Sequence, residues 1–293
     1  MAWVREIYAK DITITIKQLG DGGFGLVYEA KWMDRKVAAK KLIIRSEDNA
    51  ELNKELQNLW LLRHESIVEL YGKTTIGTDL YLIMEYADCG SLHYYLHKEK
   101  SRLENMSYLA LHNLMFQCAR AVEYLHNRNP TVLHRDLKPN NLLLFEDYRI
   151  LKICDFGTVR EIASKMSSTV GTPAYIAPEV LEGKKYTEKC DVYSFGITLW
   201  EVMSRKKPFH HLENPNALAF NNLSTKGERP KLDAIKDYKN KKIIQVLVEQ
   251  CWNQNPDRRP TMQKLSHDFS FYDFNTIPLP RTSEEDYKYR TNN

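Results

Sequence analysis

Apolar residues alternate with polar ones along much of the first 85 positions, and past Tyr86–Gly90 they recur at every third or fourth. A chain whose hydrophobic period changes from that of strands to that of helices folds as two unlike parts, each with its own buried face. Asp11-Ile12-Thr13-Ile14-Thr15-Ile16-Lys17 has the period of two expected of a half-buried strand. A glycine-rich turn, Gly20 to Gly25, follows; a second strand starts near Leu26 and a third covers Val37 to Leu42. One helical stretch interrupts the series, with Leu52, Leu56, Leu59 and Leu62 (or Arg63) spaced behind the start signal Ser46-Glu47-Asp48. Short strands are expected over Ile67–Tyr71 and Leu80–Glu85. Beyond Gly90 the spacing predicts a long amphipathic helix over Tyr108–His126, a helix apolar nearly all round over Asp191–Met203, and another over Ile243–Trp252. The expected fold is therefore α+β: an N-terminal extension 1–10, a small strand-rich lobe 11–85, a hinge 86–90, a larger helical lobe 91–270 and a polar tail 271–293.

Composition narrows the function classes. The chain has 293 residues, 43% hydrophobic and 27% charged, which suits a folded globular protein and excludes disordered or fibrous classes. A net charge of +4 is too mild to imply a nucleic-acid partner. Five cysteines, Cys89, Cys118, Cys154, Cys190 and Cys251, stand far apart with no C-x-x-C pair, so neither a zinc ribbon nor a disulfide framework is indicated, and a reducing compartment fits best. The start lacks the apolar core of a secretory signal, and no apolar run approaches the ~18 residues that span a bilayer. A cytoplasmic protein without nucleic-acid or membrane partners is expected.

Three segments carry chemistry. Gly20-x-Gly22-x-x-Gly25-x-Val27 lets the backbone turn sharply and approach phosphates. A strand, not a helix, follows it, which disfavours a dinucleotide fingerprint; no Gly-Lys-Ser/Thr follows, which excludes a Walker loop; a merely structural hairpin stays open. Lys40, in Val37-Ala38-Ala39-Lys40, shares a strand face with Ala38, whose small side chain can admit a flat base; Lys41 faces the other way and reads as a solvated surface lysine. Glu55, among the apolar repeats of the following helix, needs a cationic partner if buried, and Lys40 is the natural one. The strongest segment is His134-Arg135-Asp136-Leu137-Lys138-Pro139-Asn140-Asn141, followed across Leu142-Leu143-Leu144 and Leu151-Lys152-Ile153-Cys154 by Asp155-Phe156-Gly157. Two carboxylates, a cation and an amide on loops flanking one hairpin are the set that phosphoryl transfer needs: a base, oxygen ligands for magnesium, and a lysine at the migrating group.

In this order the segments resemble the eukaryotic protein kinase signature set, over roughly residues 11 to 270. Ala177-Pro178-Glu179 closes the activation segment, and Arg259 is placed to pair with Glu179. The resemblance implies the bilobal protein kinase fold, with ATP and Mg2+ as the cofactors. Leu19, Gly20, Asp21, Gly22, Gly23, Phe24, Gly25, Leu26 and Val27 would cover the nucleotide. Lys40, braced by Glu55, would hold its phosphates. Met84 would be the gatekeeper, Glu85 and Ala87 would bond adenine, and Val27, Ala38 and Leu143 would sandwich it. Asp136 would accept the substrate proton, Lys138 would steady the γ-phosphoryl, and Asn141 and Asp155 would hold magnesium. Leu59, Leu70, Phe156 and His134 look like the apolar stack coupling the lobes.

Lys138 and Gly171-Thr172-Pro173-Ala174-Tyr175 resemble the serine/threonine branch, with Thr172 contacting Asp136 and Lys138. Met84 to Leu92 and Leu151 to Thr158 look like the transforming-growth-factor-β-activated subfamily of mitogen-activated protein kinase kinase kinases. That resemblance implies protein substrates, downstream kinases among them, in stress or immune signalling, and leaves room for an activator protein on the kinase lobe. Arg135 beside the base suggests control by phosphorylation at Ser164, Ser167, Ser168 or Thr169. Cys154 would line the nucleotide pocket, chiefly as a small hydrophobe. The alternative is a catalytically weak or inactive scaffold of the same fold, which usually lacks one of Lys40, Asp136, Asn141 and Asp155; all four are present.

Overall fold

The computed structural model describes residues 4–22, 25–42, 56–57, 59–99, 106–155, 173–212 and 216–271. Five strands, β1 (Ile12–Gly22), β2 (Gly25–Trp32), β3 (Arg35–Lys41), β4 (Leu70–Ile76) and β5 (Asp79–Glu85), form an antiparallel sheet in the order β1-β2-β3-β5-β4. Period-two burial drives it: Ile12, Ala30, Val37, Ala39, Tyr81 and Ile83 turn one way into a shared apolar core. Ile7 joins that core, because residues 5–7 run along the edge of β4 (Ile7 N–H to Lys73 O 2.8 Å; Lys73 N–H to Arg5 O 2.9 Å) and cover backbone groups an edge strand would otherwise expose.

The larger lobe is helical. Ser91 caps α1 (Leu92–His97) and Ser107 caps α2 (Tyr108–His126), each side-chain oxygen accepting a first-turn N–H. A two-stranded hairpin, β6 (Leu142–Phe145) with β7 (Ile150–Ile153), lies against α2. Four helices follow the short α3 (Pro178–Leu181): α4 (Lys189–Ser204), α5 (Ala217–Thr225), α6 (Lys241–Cys251) and α7 (Met262–Phe271). Every residue of α4 from Cys190 to Ser204 is buried, as a sequence apolar nearly all round predicts for a helix at the centre of a lobe. No helix among the described residues is long and apolar enough to cross a membrane.

One expectation is corrected. The strand expected over Ile67–Tyr71 begins only at Leu70. Ile67 and Val68 are apolar for another reason: they dock on the larger lobe, where Val68 N–H donates to Ile153 O (3.0 Å) and Ile153 N–H to Ser66 O (2.9 Å). Lys41 is a surface lysine as expected, and its ammonium makes a solvent-facing ion pair 2.6 Å from Asp79 Oδ2. Of the expected helix behind Ser46, residues 56–57 and 59–60 are helical; the rest of that helix before Gln57, and the tail beyond 271, lie outside the described residues.

Packing at the lobe centre is tight enough to require a glycine. A methyl on Gly196 of α4 would stand 2.6 Å from Cys251 Cβ and 3.3 Å from the Trp252 nitrogen. Neither neighbour is the tip of a flexible side chain, so α6 itself must shift. Alanine gains about 1 kcal/mol of helix propensity, and overpacking costs about 1–3 kcal/mol. Gly196→Ala is expected to lower stability by a net of up to about 2 kcal/mol, read as a lower denaturant midpoint with an unchanged slope.

Candidate active site

The hairpin sets the spacing. Leu142 pairs with Ile153, so the residue before β6 and the residues after β7 meet at one end: Cys154 N–H donates to Asn141 O at 2.9 Å. Asn141 and Asp155 are thereby neighbours although fourteen residues separate them in the chain. The Asn141 side chain turns to the other carboxylate, Nδ2 donating to Asp136 Oδ2 (2.8 Å) and to the Asp136 carbonyl (2.7 Å). Lys138 Nζ donates to both Asp136 oxygens, at 2.9 and 2.7 Å. From the sheet above, Lys40 Nζ donates to Asp155 Oδ1, so one ion pair links β3 to the end of β7. Lys40 is 8% exposed, which makes it a group held for use rather than a solvated surface charge.

The loop carrying Asp136 is built on a buried carboxylate. Asp191, in the first turn of α4, is fully buried. It accepts from His134 N–H (2.9 Å), Arg135 N–H (2.7 Å) and His126 Nε2 (2.9 Å). Burial alone would raise its pKa; the His126 hydrogen bond, the charges of His126 and His134 and the Arg135 N–H outweigh burial and hold it below the ordinary carboxylate value. His134 extends the tie, Nε2 reaching the Cys154 carbonyl (2.9 Å) and Nδ1 accepting from Asp136 N–H (3.3 Å). Arg135 and Asp155 both have left-handed backbones (φ 67° and 65°), a conformation costing about 1 kcal/mol or more that persists only where surrounding bonds enforce it.

Other candidates fall around this centre. In β3, Ala38 pairs with Glu29 and Met84, and Lys40 with Val27 and Leu82, so Val27, Ala38 and Met84 belong to adjoining strands. Leu143 sits in β6, bridged to Ser91 just past the hinge. Glu85 spends its N–H on Glu69 O (3.0 Å) and its carboxylate on Lys152 (2.6 Å); Ala87 lies two residues on, in the hinge. The glycine-rich hairpin closes with Gly22 paired to Gly25, where φ is 141° and a Cβ would fall 2.0 Å from the Lys41 carbonyl oxygen, so only glycine fits. Leu19 and Leu26 are more than one-third exposed on this roof, with Gly20 and Asp21 between them. Leu70 and His134 are buried, as an apolar stack requires. Cys154 carries a thiol pushed well up by burial, which fits an inert hydrophobe better than a nucleophile. The Arg135 guanidinium lies over the Tyr186 ring at 5.7 Å. Gly23, Phe24, Glu55, Phe156, Thr172 and the serines and threonine at 164–169 lie outside the described residues.

The expected Glu179–Arg259 pair is formed and buried: Nη1 to Oε1 is 2.6 Å and Nη2 to Oε2 is 2.8 Å. Residues the sequence left unmarked include His126 and Lys152, and the buried pair Glu201 and Tyr175 with the half-buried His97 (His97 Nε2 to Glu201 Oε1 2.7 Å; Tyr175 hydroxyl to Glu201 Oε2). His97 and Glu201 are 104 positions apart, and no local pattern links them.

The chemistry of the donor set is that of oxygen and ammonium. Among the described residues no cluster of three or more His, Cys, Asp or Glu could hold a metal by itself. Asp155 offers a carboxylate, and Asn141, with Nδ2 spent on Asp136, has its amide oxygen for a ligand. Two hard oxygen donors suit a magnesium ion that draws its remaining ligands from water and phosphate.

The chain matches the protein kinase domain family over residues 14–270. It is 41% identical over 266 residues to mitogen-activated protein kinase kinase kinase 7 of Drosophila melanogaster, covering 89% of this chain and 38% of that protein. The protein of the same name from Homo sapiens is 42% identical over 263 residues, with 89% of this chain and 41% of the relative covered. A putative mitogen-activated protein kinase kinase kinase 7-like protein of Drosophila melanogaster is 38% identical over 269 residues, covering 89% of this chain and 66% of its own length. The chain thus spans about two fifths to two thirds of the length of these relatives.

Asp191→Asn would place an amide NH2 against backbone N–H groups and leave the loop without its buried anion. A loss of roughly 3 kcal/mol or more at neutral pH is expected. Because the Asp191 pKa is depressed in the folded state, its contribution is present above the unfolded value of about 3.9 and is lost as pH falls through the folded value. The wild type should therefore lose this stability below about pH 4, and the variant should show a flatter curve there in urea titrations at stepped pH.

Proposed function

The chain belongs to the protein kinase domain family, and from that premise we propose that it is a serine/threonine protein kinase transferring the γ-phosphoryl of ATP to protein hydroxyls. The observation that carries this reading is the meeting of Lys40, Asp136, Lys138, Asn141 and Asp155 at one end of the β6–β7 hairpin. ATP is the substrate, and magnesium, held by Asn141 and Asp155, offsets phosphate charge and polarises the transferring group when bound. Lys40 binds the α- and β-phosphates, braced by Glu55. Val27, Ala38 and Leu143 enclose the base, Met84 limits the depth of the pocket, and Glu85 (through its carbonyl) and Ala87 bond adenine. The hairpin from Leu19 to Val27 lies over the phosphates and excludes water.

Asp136 accepts the proton of the incoming hydroxyl. Lys138, donating to both of its oxygens, orients that carboxylate and can pass to the γ-phosphoryl as negative charge builds there. Asn141 fixes the carboxylate from the other side. Relatives named mitogen-activated protein kinase kinase kinase support a place above other kinases in a phosphorylation cascade, with downstream kinases as substrates; an activator protein on the kinase lobe and a cytoplasmic site of action complete the proposal.

Radiolabelled γ-phosphate transfer to a generic protein substrate tests the reading. Wild type should label it, and Asp136→Asn should reduce kcat by about 10²- to 10⁴-fold while nucleotide binding is retained. Nucleotide binding without transfer by the wild type would point instead to a scaffold.

A further inference from the structure

Glu201 is a carboxylate with no exposure, near the end of the central helix α4, and the catalytic set does not use it. Both of its oxygens are engaged. Oε1 lies 2.7 Å from His97 Nε2, and Oε2 accepts the Tyr175 hydroxyl. A carboxylate only accepts, so Nε2 is the His97 nitrogen that carries a hydrogen.

The three residues belong to three functionally different stretches. His97 ends α1, the helix that leaves the hinge and packs on the turn Pro139–Asn141 of the Asp136 loop. Tyr175 ends the turn Pro173–Tyr175, just ahead of Ala177-Pro178-Glu179. Its main chain is held as well, the Tyr175 carbonyl accepting from Ser194 Oγ at 2.8 Å and Ile176 N–H donating to Pro173 O at 3.2 Å. Burial first, then the neighbouring charges of Glu201 and, more weakly, Asp136, push the Tyr175 pKa well above its ordinary value, so the phenol stays a neutral donor. Ser194, which holds the Tyr175 carbonyl, and Thr198, whose Oγ1 lies 3.5 Å from the Leu137 carbonyl, are one turn apart on α4, so this turn and the Asp136 loop sit side by side.

We propose that His97 is a positioning residue for the protein acceptor: by donating to Glu201 it fixes the carboxylate that holds Tyr175, and so ties the helix leaving the hinge to the turn Pro173–Tyr175, which lies beside the Asp136 loop where the acceptor hydroxyl must arrive. This rests on the kinase reading above. Without the His97 hydrogen, Glu201 is a buried anion with one side-chain donor fewer, a costly state. It relaxes by turning toward water, and the Tyr175 ring follows. The turn 173–176 loosens, while the phosphate-binding residues, held separately by Asp191 and the β6–β7 hairpin, keep their places.

The test compares His97→Phe, which keeps a ring and removes the donor, with His97→Gln, whose amide nitrogen can replace Nε2. Steady-state kinetics on the full chain should show the acceptor-protein KM of His97→Phe raised about fivefold or more, from loss of one buried hydrogen bond to a charged group. The KM for ATP should stay within about twofold, and His97→Gln should return the acceptor KM to near the wild-type value. Hydrogen–deuterium exchange, which needs no turnover, should be faster over residues 173–177 in His97→Phe, unchanged in α4, and slow again in His97→Gln. In an active enzyme, an acceptor KM unmoved by His97→Phe, or raised equally in both variants, overturns the proposal. A wild type that transfers no phosphoryl rejects the kinase reading instead, and exchange alone then decides: unaltered protection of 173–177 in His97→Phe overturns the tie, and loss restored by His97→Gln supports it.

Discussion

A single carboxylate in the first turn of α4 holds the loop on which the chemistry depends. Asp191 has no exposure and accepts two successive backbone N–H groups, those of His134 and Arg135, plus the ring of His126. Those bonds compensate two costs together. They offset the desolvation of the anion, and they enforce the left-handed backbone of Arg135 that turns the chain so that Asp136 leaves the loop in the required direction. From Asp136 the network runs outward through Lys138 and Asn141, and from Asn141 through its carbonyl to Cys154 and the start of Asp155. The charged groups of the site therefore rest on the apolar centre of the larger lobe, where every neighbour is close-packed and little can move.

The smaller lobe contributes differently. Its sheet places Lys40 in β3, flanked by Val27 and Leu82, and reaches the larger lobe through the Lys40–Asp155 ion pair and the docking of Ile67 and Val68 on Ile153. Among the described residues further links join them: Glu85 pairs with Lys152 (2.6 Å), Glu65 with Arg120 (2.6 Å), and Arg63 N–H donates to the Tyr124 hydroxyl (3.1 Å). None of these uses the residues that anchor the loop on Asp191. Within the sheet, position 25 must be glycine, because its backbone comes too close to the Lys41 carbonyl for any side chain.

Local pattern made much of this readable in advance. The strand periods, the capped helix Tyr108–His126, the buried run of α4 and the order of the charged segments are all short-range features, and the structure bears them out. The Glu179–Arg259 pair was readable only through family resemblance, since 80 positions separate its members. What stayed hidden is of one kind. Ile67 and Val68 look like a strand because they are apolar, yet their burial comes from the other lobe. Lys41 is at the surface as its strand position implies, but its partner Asp79, 38 positions away, is not marked by any local pattern. His97, Glu201 and Tyr175 meet only in three dimensions, and Glu201 in sequence is one charge in an apolar helix, a signal that a buried anion needs donors but not where they come from.

The bidentate bond between Glu179 and Arg259 has an effect on the stretch 156–172, which it brackets from one side. Arg259 also grips the Asn253 and Lys189 carbonyls, so Glu179 is moored to the base of the lobe rather than to the stretch before it. Asp155 is likewise set by the β6–β7 hairpin. The points where the chain leaves β7 and enters α3 are thus both fastened to the floor of the larger lobe, so a pull on either is passed to its most closely packed part.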